Sequence, residues 1–234
     1  FQSVERERGI NASEVKFYIN KDYEMTEQDL IKLELYSSSI RNQKFVFTSK
    51  DGPFVLSSSD DVILPVNNKL GEIEFTNITL DFDNKNIFAA GSPLKMSESV
   101  EMTKESNINL YGGLLDEEVA NSKLTLDGGT FNNIYGGGSS SNGSVLNNIE
   151  ISLGKNVLVK GNVYGGSELD KTGSSEAPGT TTINLLGGTV EGDIIGGGKN
   201  ANSPVLNKIV INCGNSTSEG VTYVKNIYGL SQPL

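Results

Sequence analysis

The sequence predicts a mainly β chain wound as a single-stranded, right-handed parallel β-helix, a solenoid. Three observations lead there. A unit of sixty residues repeats in the second half of the chain. Short apolar triplets with period two recur inside it, which marks strands. The intervals between like elements vary while the elements stay constant, as expected of coils with loops of unequal length. At 234 residues the chain is long enough for a sizeable core.

From the N-terminus, residues 1–14 read as an extension or cap. The opening run Phe1-Gln2-Ser3-Val4-Glu5-Arg6-Glu7-Arg8 is too polar for a signal peptide, so the chain is expected to be either cytoplasmic or an excised piece of a longer protein, and the missing Met favours the excised piece. Residues 15–234 are expected to form one continuous β-helix, irregular over 15–107 and regular over 108–234. The irregular part shows strand patterns at 15–19, 31–36, 45–48, 54–56, 62–64, 73–75, 78–82 and 108–110. Pro53, Pro65 and Pro93 stand between them, where turns belong. Residues 25–33, with Thr26 as N-cap before Glu27, Gln28 and Asp29, are the best helix candidate. They read equally as a polar turn leading into strand 31–36.

Composition changes near residue 107. Only Gly9, Gly52, Gly71 and Gly91 precede it, out of 27 glycines. Beyond it, Ile134-Tyr135-Gly136-Gly137-Gly138 matches Ile194-Ile195-Gly196-Gly197-Gly198, and Val145-Leu146-Asn147 matches Val205-Leu206-Asn207. The aromatic-glycine element recurs at Tyr111, Tyr135, Tyr164, Ile195 and Tyr228, in steps of 24, 29, 31 and 33 residues. This predicts a fixed coil with projecting loops at 139–147, 167–180 and 199–207. Leu124, Leu126, Ile149, Ile151, Ile183, Leu185, Ile209 and Ile211 share one parity, so we expect all of them inward, with Leu124 stacked on Ile149, Ile183 and Ile209. Glycine pairs after the strands are expected to supply turns with positive φ. Right-handedness follows from the crossover preference of parallel strands.

The Asn-Ile-Tyr-Gly-Gly-Gly run at 133–138, with Gly-Gly-Thr at 128–130, resembles the pectin-lyase-like β-helix repeats of bacterial surface proteins. Those proteins are large, multi-modular, wall-attached or secreted proteins of Gram-positive gut bacteria. Glu72-Ile73-Glu74-Phe75-Thr76-Asn77-Ile78-Thr79-Leu80-Asp81 is similar to rungs of the same superfamily, and the resemblance covers most of 15–230. It implies a pectin-lyase-like fold and a place outside the cell or on its surface. Host glycans, matrix or immunoglobulins are the partners it implies. It does not select among lyases, hydrolases, tailspikes, adhesins and spacers, which share this fold.

Composition excludes several chemistries. There is no His and no Trp, and Cys213 is the one cysteine, so an internal disulfide, a cysteine zinc site and imidazole catalysis are all ruled out. A formal charge of −10, with every arginine (Arg6, Arg8, Arg41) in the first 41 residues, argues against nucleic-acid binding. No apolar run reaches the ~18 residues of a membrane span, so no membrane insertion is expected.

The resemblance implies two enzymatic patterns: calcium on acidic residues with an Arg or Lys base, or several Asp supported by His. The second cannot be completed here. For the first, Asp60-Asp61 and Asp116-Glu117-Glu118 are acidic groupings, and Asp81 and Asp83 are the metal candidate because i, i+2 carboxylates share a strand face. Their ordinary reading is a solvated face entering the turn Asn84-Lys85-Asn86. We expect no catalytic residue, metal or other cofactor.

Tyr135, Tyr164 and Tyr228, in line with Tyr111, are the ligand-binding candidates, an aromatic stripe able to stack on sugars or a protein. Ile195 in the same slot favours a ladder instead. Asn133, Asn162 and Asn226 read as ladder residues, and Cys213, aligned with Leu153, as a buried small apolar residue. The triple glycines lack the Lys-Ser/Thr of a phosphate loop.

The function expected is a non-catalytic extracellular module of a bacterial cell-surface protein, monomeric within a longer chain. It would bind host protein, immunoglobulin included, or glycan, or serve as a rigid spacer. The alternative is a polysaccharide lyase or glycoside hydrolase fragment of the same fold. An ice-binding solenoid would need a flat threonine ladder, which Thr180-Thr181-Thr182 alone does not make.

Overall fold

The computed structural model describes residues 4–7, 14–29, 43–65, 71–82, 84–103, 107–176, 178–200, 202–214 and 223–230. They wind as a parallel β-solenoid, with 52% strand and 2% helix. The strands begin with β1 (Val4–Glu7), β2 (Glu14–Ile19), β3 (Tyr23–Met25), β4 (Lys44–Ser49), β5 (Val55–Ser58), β6 (Val62–Ile63) and β7 (Glu72–Thr76). Next come β8 (Ile78–Asp81), β9 (Asn86–Phe88), β10 (Leu94–Met96), β11 (Val100–Met102), β12 (Asn109–Tyr111), β13 (Ser122–Phe131) and β14 (Ile134–Tyr135). Then follow β15 (Ile149–Val159), β16 (Val163–Tyr164), β17 (Thr180–Leu185), β18 (Thr189–Ile195), β19 (Lys208–Cys213) and β20 (Tyr223–Tyr228).

Each coil contributes strands to stacked parallel ladders. On the first, β2, β4, β7, β10, β13, β15, β17 and β19 pair in chain order. The second joins β3, β5, β8 and β11; in later coils its place is taken by the far ends of β13 and β15 and the start of β18. The third joins β6, β9, β12, β14, β16 and the ends of β18 and β20. The ladders cross residue 107 without interruption, through β10–β13 and β9–β12. Among the described strands only β1 pairs antiparallel, lying along β2.

Alternation puts one face of the first ladder's strands inside. Two internal columns run the length of the first ladder. One is Val15, Phe45, Ile73, Leu94, Leu124, Ile151, Ile183 and Ile211; the other is Phe17, Phe47, Phe75, Met96, Leu126, Leu153, Leu185 and Cys213. One cluster of buried apolar side chains reaches from Val15 to Ile194.

The expected inward parity holds, and Leu124 and Ile183 do share a column, but the expected places of Ile149 and Ile209 in it are corrected by two residues, to Ile151 and Ile211. Leu124 lies on Ile151, and Ile149 lies on Ser122. The cause is visible in the rungs: Ser122 and Thr181 occupy the first inward slot that Ile149 and Ile209 fill with apolar side chains. Alignment by the first apolar residue therefore slips one inward position. Burial also fades at the last described rung. Leu124, Leu126, Ile151 and Ile183 are fully buried, Ile209 and Ile211 half-buried, and Cys213 exposed. Cys213 does continue the Leu153 column, but no described strand covers β19.

Three further expectations change. Of the helix candidate 25–33, residues 27–29 are helical and Tyr23–Met25 is strand β3, so the helix does not begin at Met25; residues 30–36, and with them the alternative strand 31–36, lie outside the described residues. The structure adds strands β3, β9, β10 and β11, which the sequence reading leaves unmarked although Leu94/Met96 and Val100/Met102 alternate as the marked triplets do. Positive φ explains Gly129 (110°) and Gly188 (80°) but not the Tyr-Gly steps. There the need is space: a Cβ on Gly136 would stand 2.4 Å from the Gly165 carbonyl oxygen and 2.6 Å from Ile149.

Candidate functional site

The third ladder carries the densest pattern of like residues. Just before its strands runs a polar ladder. Asp61 accepts from the Asn86 backbone N–H at 2.8 Å, and Asn86 accepts from the Asn109 amide at 3.3 Å. Asn109 accepts from the Asn133 amide at 3.1 Å, and Asn133 from the Asn162 backbone at 2.9 Å. Asn162 accepts from the Asp193 backbone at 2.7 Å, and Asp193 from the Asn226 amide at 2.8 Å. Three of these six bonds satisfy a backbone donor of the next coil, and three link side chain to side chain.

Two residues on, the aromatic element forms a stack. Phe88–Tyr111, Tyr111–Tyr135 and Tyr135–Tyr164 have ring centroids 4.9, 4.7 and 4.9 Å apart, tilted by 13°, 5° and 6°. That spacing is the rise between strands. Ile195 continues the stack and Tyr228 packs against its end. Ile134 points inward, so Tyr135 points out of the coil, yet it is 1% exposed. Of the tyrosine candidates, Tyr135 and Tyr164 are buried and Tyr228 half-buried, and both faces of the Tyr135 ring are occupied by neighbouring tyrosines.

The cover over these rings comes from the loops, which do not project independently as expected. Loops 114–121, 139–147, 167–179 and 199–207 lie on one another as a side ledge. Ser139 and Ser140 donate backbone N–H groups to Leu114 and Leu115, Glu168 to Gly138, and Lys199 to Ser167. Val119 bridges Val145, and Thr172 bridges Val205, both parallel. Hydroxyls fill its interior: Ser144, Ser167, Thr172 and Ser203 are fully buried. Ser144 donates to the Lys171 carbonyl at 2.8 Å, and Ser167 and Thr172 share a hydrogen bond of 3.0 Å.

Glu168 ties the ledge to the stack. Its carboxylate accepts from the Tyr111 hydroxyl at 2.6 Å and from Lys199 Nζ at 2.6 Å. Burial, and then the Glu168 charge, hold the Tyr111 and Tyr135 hydroxyls well above the ordinary tyrosine pKa, so both stay protonated. The outer side of the ledge holds a polar cleft of about 420 Å³ lined by Asp116, Glu118, Ser141, Asn142, Asp170 and Lys171.

At the sequence-derived metal candidate, Asp81 accepts from Thr103 Oγ1 at 3.3 Å, and Asp83 lies outside the described residues. Among the described residues no three His, Cys, Asp or Glu side chains converge as a metal site would require.

Sequence reasoning finds the tyrosines and Asn133, Asn162 and Asn226 but misses six participants. Phe88 begins the stack, Asp61, Asn86, Asn109 and Asp193 belong to the asparagine ladder, and Glu168 clamps the ledge. Asp193 was legible, since it occupies the Asn133 slot of the repeat. Glu168 was not, because its partner is 57 residues away. Fold and site together define a parallel β-solenoid with an ordered ledge of side loops. Comparison with protein-family models, curated proteins and solved structures finds no match.

Proposed function

We propose that the chain is a non-catalytic, extracellular binding module of a bacterial surface protein, a right-handed pectin-lyase-like coil that presents its ledge to host protein or glycan. One observation carries this reading. The regular coils build a second, hydrogen-bonded stack of loops beside the solenoid, with four fully buried hydroxyls in its interior. Such loops present fixed side chains over several coils, the property a recognition surface needs, because little ordering entropy remains to be lost on binding. Extracellular placement rests on the sequence resemblance.

The test is binding of the purified chain to glycan and host-protein arrays, run beside incubation with polygalacturonate and calcium. Saturable binding without product formation is the expected outcome. Sustained turnover that Asp81→Ala abolishes would replace the binding module with a polysaccharide-degrading enzyme. A chain that binds nothing on either array would act as a rigid spacer.

A further inference from the structure

We propose that the outer side of the ledge is a docking surface for a protein segment that carries both cationic and aliphatic side chains. The inference rests on the binding reading above and narrows its partner from protein or glycan to protein.

Three features select this partner. First, the ledge exposes aliphatic side chains: Leu115 is 47% exposed and Leu169 51%, two of the six large apolar residues most open to solvent among the described ones. The backbone bonds Ser140 to Leu115 and Glu168 to Gly138 put the two leucines on coils either side of Ser140. They are therefore about 10 Å apart, two strand spacings. Second, the residues that follow the two leucines in the chain, Asp116 and Asp170, line an acidic cleft. Glu118 lines it too, against a single Lys171. Asp116 is held in place by the Ser140 hydroxyl at 2.7 Å. Third, no ring is open to stack on a sugar: among the described side chains no aromatic ring is fully exposed, and Tyr111, Tyr135 and Tyr164 are packed against one another. An overall charge of −10 repels polyanions, whether nucleic acid or acidic glycan. A segment with alternating Lys or Arg and aliphatic residues answers both features at once, its cations on the carboxylates and its apolar side chains on the leucines.

The full chain is titrated with a dye-labelled synthetic peptide of alternating lysine and leucine. A lysine-serine peptide, a glutamate-leucine peptide and a neutral glucan serve as comparison probes. Binding is repeated with Leu115→Ser/Leu169→Ser and with Asp116→Asn/Asp170→Asn. Those side chains are at the surface, and unchanged melting confirms that the fold survives.

The lysine-leucine peptide is expected to bind tightest, more weakly as salt rises, and roughly tenfold more weakly to either double variant. The carboxylate variant removes only two charges from a chain of −10, so such a loss would not arise from bulk attraction. Equal affinity for wild type and both variants, or no binding of the lysine-leucine peptide, overturns the inference. So does tighter binding of the glutamate-leucine peptide or the glucan. If an array partner binds wild type and both variants equally, the binding module stands and the ledge assignment falls. Polysaccharide turnover would remove the binding module itself.

Discussion

The coils before residue 107 and those after it solve the same stacking problem with different chemistry. In the first region aromatic rings align the coils from inside: Phe17, Phe47 and Phe75 stack at 4.8 and 5.2 Å within the core. In the second the rings lie outside the coil, Tyr111 on Tyr135 on Tyr164, and the core columns are aliphatic. The outer faces differ too. Lys44 bridges Glu72 and Glu74 across two strands, and Lys95 reaches Glu74 from a third. In the second region an exposed Lys123–Glu150 pair remains, but at the slots that match Glu74 and Lys95 Asn184 donates to Ser152 and Asn212 to Asn184. Left-handed backbone falls on Asn77, Asn84 and Ala90 as well as Gly52 and Gly91 in the first region, and on glycine alone in the described part of the second. A parallel coil needs like residues in register, and charge pairs, amides and rings each meet that need. Only the second region uses a pattern uniform enough to read as a repeat.

If the outer rings are core as much as the inner ones, truncating either stack should be equally damaging. Phe47 is 5% exposed and Tyr135 1%. Phe47→Ala and Tyr135→Ala are each expected to lose about 3–5 kcal/mol in denaturant unfolding. A cost for Tyr135→Ala below about 1 kcal/mol would break the equivalence and make the tyrosine stack an ornament of the ledge.

The second region depends on glycine for space. A Cβ on Gly165 would lie 2.4 Å from the Gly196 carbonyl oxygen and 2.7 Å from Thr181, whereas one on Gly229 meets nothing within 4 Å. Gly165→Ala is expected to cost about 3 kcal/mol, because the ladder itself must open, and Gly229→Ala within about 0.5 kcal/mol of zero. Thermal melts of the two variants separate close approach from any general intolerance of the Tyr-Gly step.

Charge makes the first region pH-sensitive. Burial alone would raise the Glu74 carboxyl, but its bonds to Lys44 and Lys95 outweigh this and hold it below the ordinary range. Burial would likewise lower Lys44, and Glu74 with Glu72 holds it above its ordinary value. A depressed carboxyl contributes stability above its unfolded pKa, and the contribution disappears as pH falls through the folded value. Lys44 contributes below its unfolded pKa and loses that as pH rises through its raised folded value. Glu74→Gln is expected to cost about 1–2 kcal/mol at neutral pH, with the gap from wild type closing below about pH 4. Asn184→Ala should keep a constant gap over the same range, since an amide does not titrate. A Glu74→Gln gap that persists in acid would mean that packing, not charge, sets its role.

This contrast explains what was legible in the sequence. The second region's inward set was readable because Leu124, Ile151 and Ile183 recur with fixed parity between glycines. Its register was not, because Ser122 and Thr181 stand where an apolar residue was sought. In the first region β9, β10 and β11 go unmarked although Ile87, Leu94 and Val100 are buried, because no repeat sets these short segments apart from their neighbours. The tyrosines were visible as a row, but parity alone could not say what covers them. That depends on loops stacking on loops, and on Glu168 reaching back two coils, neither of which has a local pattern.

The finest test of the comparison uses two serines at matching places. Ser92 and Ser122 each stand two residues before an inward leucine, Leu94 and Leu124, that pair across β10 and β13. Both are buried, at 0% and 2% exposure. Ser92 Oγ donates to the Pro65 carbonyl at 2.6 Å, so its hydroxyl is satisfied. Ser122 Oγ has no hydrogen-bond partner among the described residues. A buried hydroxyl left alone loses its hydration and gains nothing for it. Removing the two hydroxyls should therefore act with opposite sign. Ser92→Ala deletes a made bond, strands the Pro65 carbonyl and is expected to destabilise by about 1 kcal/mol. Ser122→Ala removes an unpaired group and is expected to stabilise by up to about 1 kcal/mol, with the small void left by one oxygen setting the limit. Chemical denaturation of both variants under one buffer decides it. A loss of stability in Ser122→Ala comparable to that of Ser92→Ala would show that its hydroxyl is satisfied after all, by a buried water between β13 and the Gly112 turn, and that the two regions enter the first ladder in the same way.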